Sequence, residues 1–320
     1  MAPLVKKNRR ALRKNKQSKF QSSLCFVGTN SAGITSKLQS FDDLLKTINP
    51  SVFFIQETKL KNQGKIKTEY SKKYQIFELN RKEKAGGGLA IGALEEVKPV
   101  WISEGDDNVE ILVVEIEIGE MKIRCICAYG PQETDCVDRK EKFWSKLAEE
   151  VEISSLNECA TIIQMDGNLW GGPEVVKNDP NPINNNGKLF KNFLKNNPQL
   201  TVGNNLDICE GSITRSRKAG QKMEKSILDF FIFCDKMKPF VSEMLIDESK
   251  LYALSSYSKA RGRTHSDHNT MIVRFNLNFS KKRPPRTEYF TSKIKNAKKN
   301  SFMKLIIPQN LIHVSKIWQM

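Results

Sequence analysis

The sequence predicts an α/β sandwich (α+β class), two β-sheets packed face to face with helices on the outside. Three observations support this: many short apolar or alternating runs, few stretches with helical spacing between them, and no internal repeat. A hydrophobic fraction of 39% in 320 residues is enough for a buried core. Residues 22–278 fit the size of a single domain, flanked by a basic arm over 1–21 and a basic tail over 279–320.

The first element, "SSLCFVGTN", reads as a short buried strand. Helical spacing follows in "SKLQSFDDLLKTIN", where Leu38, Phe41, Leu44, Leu45 and Ile48 recur on one face and Ser36 is placed to cap the N-terminus. Pro50 stops that helix, and "SVFFIQET" is a second strand that ends in Gln56-Glu57-Thr58. "GGGLAIGAL", "VEILVVEIEIG" and "KIRCICAYG" are further strands, the last two joined by a hairpin turn at Gly119-Glu120. The helix "DRKEKFWSKLAEEV" leads to the strand "ATIIQMDGN". A Gly/Asn/Pro-rich loop with an embedded helix precedes "SILDFFIFC", and "NTMIVRFNL" is the last strand.

The formal net charge of +16 belongs to the two ends. Residues 1–20 carry eight Lys/Arg and no acid, residues 276–320 carry ten against Glu288, and the middle is left at −1. Basic ends on a near-neutral centre are expected of arms that follow a polyanion, so nucleic acid is the expected partner and salt should weaken it steeply. A role in solubility or as an address signal is the plainer alternative. Residues 1–21 and 280–300 lack core-forming periodicity. The final "LIIPQNLIHVSKIWQM" is apolar again, and both docking elsewhere and the stump of a longer chain stay open.

The seven cysteines are spread out with no C-x-x-C pair, which favours reduced thiols in an intracellular, nuclear or cytosolic protein. No run approaches ~20 apolar residues and no apolar core follows the basic N-terminus, so no membrane span or secretory signal is expected.

Polar residues recur at the strand ends. Asn30 ends the first strand, Glu57 follows the second, Tyr129 precedes Gly130-Pro131, and Asp166 and Asn168 follow "TIIQM". Asp229 interrupts "SILDFF", while Asp267 and His268 directly precede the last strand. That placement gathers them at one rim of the sheets. Each signal alone is weak, since Asp-x-Asn after a strand is commonly a turn. Asp229 says more, because a charge flanked by Ile227, Leu228, Phe230 and Phe231 is costly to bury without a partner. A histidine is its natural partner, and the chain has three, His265, His268 and His313. His265 and His268 are three apart, as two zinc ligands on a helix face would be. The segment nevertheless reads as a loop entering a strand, and no Cys or further His stands at suitable spacing.

The stretches "GTNSAGI", "FIQETKL", "GGGLAIG", "AYGPQ", "MDGNLW", "GSITR", "SILDFFIF" and "THSDHNTMIV", in this order, resemble the endonuclease/exonuclease/phosphatase superfamily. That superfamily includes exonuclease III-type apurinic endonucleases, pancreatic deoxyribonuclease, inositol polyphosphate phosphatases and the endonuclease domains of non-LTR retrotransposons. The linked "SILDFFIF…HSDHNTMIV" ending and the basic loop "TRSRKAGQKMEK" look most like the retrotransposon branch.

The resemblance implies a four-layer α/β sandwich with two mostly antiparallel sheets, the DNase I-like fold. It also implies a metal-dependent endonuclease that nicks double-stranded DNA and leaves a 3′-hydroxyl, working in a longer element with a reverse transcriptase in cis. Glu57 would bind the divalent ion, Mg2+ with Mn2+ as a substitute, and Asp267 would reach it directly or through water. Asp166 would orient or deprotonate the attacking water, Asn30 and Asn168 would hold phosphate oxygens and metal-bound water, and Tyr129 would hydrogen-bond the phosphate. His268, oriented by Asp229, would stabilise transition-state charge during in-line hydrolysis. Arg215, Arg217, Lys218, Lys222, Arg261 and Arg263 flank the motifs and would bind DNA phosphates without reading sequence. Trp170 is placed to stack on a base or to pack. One departure is Asn30-Ser31-Ala32-Gly33, where apurinic endonucleases carry an acid at the Ala32 position, which weighs against abasic-site repair. A repair nuclease or small phosphoesterase, and an inactive nucleic-acid-binding relic, stay open as alternatives.

Overall fold

The computed structural model describes residues 20–81, 86–104, 109–259 and 262–279. The terminal segments 1–19 and 280–320, and with them most of the two basic ends, lie outside the described residues, as does Arg261. In chain order, β1 (Phe20–Asn30), α1 (Leu38–Ile48) and β2 (Val52–Gln56) form the opening strand–helix–strand unit. β3 (Tyr74–Leu79), β4 (Leu89–Leu94), β5 (Val100–Glu104), β6 (Glu110–Ile118) and β7 (Met121–Tyr129) follow, with the β6–β7 turn at Gly119-Glu120. Then come α2 (Val137–Leu156), β8 (Ala160–Asp166), α3 (Asn185–Asn196), β9 (Leu200–Val202) and β10 (Cys209–Glu210). β11 (Arg215–Ala219), β12 (Lys222–Ser226), β13 (Asp229–Cys234), β14 (Val241–Ile246), β15 (Ser255–Ser258), β16 (Gly262–His265) and β17 (Met271–Phe279) complete the described chain.

Two large sheets result, ordered β10-β14-β17-β1-β2-β4-β3 and β5-β6-β7-β8-β13-β9, and most strand pairs in each are antiparallel. The expected sandwich with helices outside is therefore present. The layering follows from the period of two along each strand. In β1 and β2, Leu24, Phe26, Val52 and Phe54 face the opposite sheet, where Phe54 meets Phe231 edge-on with ring centroids 6.0 Å apart. The alternate residues Cys25, Val27, Phe53 and Ile55 face outward and are covered by Phe41, Leu44, Leu45 and Ile48 of α1. On the far side, Trp144 of α2 stacks on Phe190 of α3, and Phe190 packs on the outward-facing Phe230.

The two sheets come close together at Gly28 and Gln164, below the polar rim. A Cβ at Gly28 would lie 2.4 Å from the Gln164 side chain, so only glycine fits there. Gln164 in turn accepts a hydrogen bond from Gln56, whose Nε2 also lies 3.1 Å from Cys127 Sγ.

Two local expectations change. Ser36 does not cap α1, because a 3-10 turn over Thr35–Lys37 runs straight into the helix and puts Ser36 inside a helical turn. The basic stretch expected as a loop is the two-stranded hairpin β11–β12, registered from Arg215↔Ser226 to Ala219↔Lys222. Among the described residues, no helix is long and apolar enough to cross a membrane.

Candidate active site

Strand register assembles the rim. In the second sheet, Glu110, Tyr129, Asp166 and Asp229 are consecutive cross-strand partners on β6, β7, β8 and β13, so four residues far apart in sequence share one row. Across the gap, Asn30 pairs with Gln56 at the ends of the parallel strands β1 and β2, which delivers Glu57 to the same edge. Glu57 itself has a left-handed φ of 49°. His268 arrives just before β17, which pairs antiparallel with β1.

The side chains meet in a buried hydrogen-bonded cluster. Asn30 Nδ2 donates to Asp166 Oδ2 at 2.7 Å and to Glu57 Oε1 at 3.0 Å. The Tyr129 hydroxyl donates to the same Glu57 oxygen at 2.9 Å. His268 Nδ1 lies 3.1 and 2.9 Å from the two oxygens of Asp229, while its Nε2 is 3.9 Å from Asp166 Oδ2. Asn168 donates its backbone N–H to Asp166 at 3.0 Å, and its side-chain amide is turned to the Gly130 carbonyl at 2.8 Å.

Burial and charge set the proton affinities. Burial, reinforced by the Asp229 charge, raises the Asp166 carboxyl to about 7 against the opposing pull of His268. Burial works to lower the His268 imidazole, but the charge and hydrogen bond of Asp229, with Asp166 and Asp267 behind it, outweigh that and lift it to about 9. Burial would raise Glu57, yet hydrogen bonds from Lys59, Asn30 and Tyr129 hold it below the ordinary carboxylate value. The Tyr129 hydroxyl is pushed up by burial and by the neighbouring carboxylates. At neutral pH the site thus combines a cationic His268 with an Asp166 poised to exchange a proton.

The remaining expected residues lie around this centre. Asp267 is turned to Arg215, with Nε to Oδ2 at 2.8 Å; burial works to raise its carboxyl, but the His268 charge and then this ion pair hold it below the usual range. Arg215 also bridges to His268 in backbone register, and Ser216 N–H donates to the Asp267 carbonyl at 2.9 Å, so the β11–β12 hairpin is bonded directly to the site loop. Arg217, Lys218 and Lys222 extend along that hairpin. Arg263 and the exposed His265 sit on β16, and Trp170 is 41% exposed beyond Asn168.

Several contributors were not singled out from the sequence. Lys59 pairs with Glu57 Oε2 at 2.8 Å, and its signal was its place two residues after Glu57. Thr214 Oγ1 accepts the backbone N–H of Asp229 at 3.0 Å, and Ser266 donates to the Asn30 carbonyl at 2.9 Å. Arg81 forms an ion pair with buried Glu110, lies over the Tyr129 ring 5.8 Å from its centroid, and leaves no room for a Cβ at Gly87.

No protein-family model and no curated protein matches the sequence. Solved structures do match. The endonuclease domain of TRAS1, a telomere-specific non-LTR retrotransposon, aligns with a TM-score of 0.55 at 15% identity, over 80% of this chain and 100% of that one. The 3′-5′ exonuclease NExo from Neisseria meningitidis aligns with a TM-score of 0.61 at 17% identity, over 79% and 100%. An AP endonuclease from Archaeoglobus fulgidus gives 0.58 at 17% identity, over 79% and 100%. The chain has the DNase I-like fold.

Within this fold, the donor set around Glu57 suits a hard cation. Its carboxylate already holds the Lys59 ammonium and accepts from Asn30 Nδ2, and Asp166 accepts from the same amide, so the electron-pair donors here are carboxylate oxygens. Asp166, Asp229 and His268 also place ligand atoms within 4.8 Å of one another. There, however, both Asp229 oxygens are engaged with His268 Nδ1, the geometry of a charged dyad and not of open coordination.

Proposed function

We propose that this chain is a divalent-metal-dependent endonuclease that nicks double-stranded DNA and leaves a 3′-hydroxyl, the target-nicking portion of a retrotransposon-type element. The observation that carries the reading is the buried His268–Asp229 dyad beside Asp166, Asn30 and Glu57, with the basic β11–β12 hairpin bonded to the same loop. The names of the structural neighbours, a retrotransposon endonuclease among them, support the same reading.

In this mechanism Asp166 accepts the proton of the attacking water, with Asn30 fixing one of its oxygens and the Asn168 backbone the other. His268, kept cationic by Asp229, faces the charge that builds on the phosphoryl oxygens. Glu57 is the group that would hold the ion, Mg2+ with Mn2+ as a substitute, and Lys59 is paired with its Oε2. The ion supplies Lewis-acid polarisation of the phosphate. Tyr129 is positioned to exchange its Glu57 hydrogen bond for one to the phosphate. Arg215, Arg217, Lys218, Lys222 and Arg263 hold phosphates along the duplex. A nuclear location and a reverse transcriptase in cis belong to the same reading.

The test is conversion of supercoiled plasmid to nicked circle. Asp166→Ala is expected to slow it by about 10²–10⁴-fold, the usual worth of a positioned general base, and a variant that nicks as fast as the parent removes the assignment.

A further inference from the structure

A short hairpin stands directly before the His268 loop. β15 and β16 pair Ser255 with His265, Ser256 with Thr264, Tyr257 with Arg263 and Ser258 with Gly262. Alternation therefore sets Tyr257 beside Arg263 on one face, while the Ser256 and Thr264 hydroxyls bond at 2.9 Å on the other. The base of the hairpin is fixed. Ser255 N–H donates to Ser40 Oγ at 2.8 Å, and Ser266, next after β16, donates to the Asn30 carbonyl. Lys250 Nζ donates to the carbonyls of Ser266, Asp267 and His268 at 3.0, 2.9 and 3.2 Å, which ties the end of the hairpin to the site loop.

The described residues of the outer part are mostly exposed. Tyr257 is 76% exposed, and Lys259 and Arg263 are exposed beside it. No acid occurs among the described residues of the hairpin. On the Tyr257 face, Arg263 and His265 line a cleft of about 430 Å3 whose other wall includes Ser40, Asp43 and Tyr252, so Arg263 has an acid across the cleft as well as Tyr257 beside it. An exposed aromatic paired with a cation on a basic ribbon is the chemistry of a stacking platform for nucleic acid: the ring takes a base face and the cations take phosphates. The β11–β12 hairpin, bonded to the same loop through Arg215, carries basic residues and no aromatic.

We propose that the β15–β16 hairpin is a DNA-stacking arm in which Tyr257 packs on an unpaired base beside the scissile phosphate while Arg263 and Lys259 neutralise the flanking backbone. This rests on the nuclease reading and narrows its substrate to polynucleotides with an opened base step, which a paired duplex must supply by unstacking.

The test is anisotropy of a labelled duplex bearing a two-nucleotide unpaired bulge, in EDTA to prevent cleavage, with a fully paired duplex alongside. Tyr257→Ala is expected to weaken binding to the bulged duplex by roughly fivefold or more, as for loss of one stacked base, and Tyr257→Phe to stay within about twofold of the parent. Equal binding by Tyr257→Ala and the parent, a loss as large with Tyr257→Phe, or no DNA binding by the parent, overturns the arm. Hydrolysis of thymidine 5′-(p-nitrophenyl) phosphate in Mg2+ reads the chemistry alone. Tyr257→Ala is expected to leave that rate unchanged, and a matching loss there also overturns the arm. If the parent hydrolyses neither the diester nor DNA, the nuclease reading fails, and the anisotropy result still decides the arm.

Discussion

Asp166 and His268 are the residues whose charge states decide what this site can do. In the proposed mechanism Asp166 must lose its proton to accept one, and His268 must keep its own. The rate of nicking is therefore expected to rise as pH passes about 7 and to fall as it passes about 9. The Asp229 charge raises both groups, so Asp229→Asn removes the support of each and both limbs should move to lower pH. A pH–rate profile of this variant with unmoved limbs would contradict the coupling. The same dyad bears on stability. His268 is raised from 6.5 to about 9, so its ionised pairing contributes fully below about 6.5 and is lost as pH rises through about 9. The pairing of Asp229 with a histidine was legible because four apolar neighbours surround a charge that needs a partner. Lys59 and Thr214 were not legible, since their contacts to Glu57 and Asp229 arise only when separate segments close on one another.

The elements differ in how plainly the sequence announced them. The core strands were legible because β1 and β2 alternate between two apolar faces, β17 opens on Met271, Ile272 and Val273, and β8 and β13 are mostly apolar and buried along their whole length. β11–β12 and β15–β16 were not legible as strands, because their residues are largely exposed and carry no apolar alternation. Helix α2 is held to its sheet by polar contacts as well as apolar ones. Arg124 on β7 reaches Glu150 of α2 at 2.6 Å and Glu115 of β6 at 2.8 Å, with Arg124 and Glu150 both buried. Arg124→Ala would leave Glu150 buried with Lys146 at 3.2 Å and the Ser103 hydroxyl at 3.1 Å, both on its other carboxylate oxygen. It is expected to lower the unfolding free energy in urea by about 3–5 kcal/mol, the cost of breaking a buried pair. A loss under about 1 kcal/mol would show that the pair is solvated and adds nothing to the anchoring of α2.

For the whole molecule, the proposed function makes duplex DNA the expected partner. A near-neutral central region carries basic hairpins at its site rim and strongly basic sequence at both ends. Binding to duplex DNA is expected to weaken about a thousandfold or more between roughly 50 and 200 mM salt, as for a protein that neutralises many phosphates. Affinity that is insensitive to salt would remove the basic residues from the account. The central claim is that the buried cluster of Asn30, Glu57, Asp166, Asp229 and His268 hydrolyses a phosphodiester with a divalent ion. Its most direct measurement is plasmid nicking in Mg2+ and in EDTA, with the new ends tested for extension by a polymerase. The prediction is nicked circles with extendable 3′-hydroxyl ends in Mg2+ and none in EDTA. Nicking that persists in EDTA, or ends that a polymerase extends only after a 3′-phosphatase has acted, would contradict it.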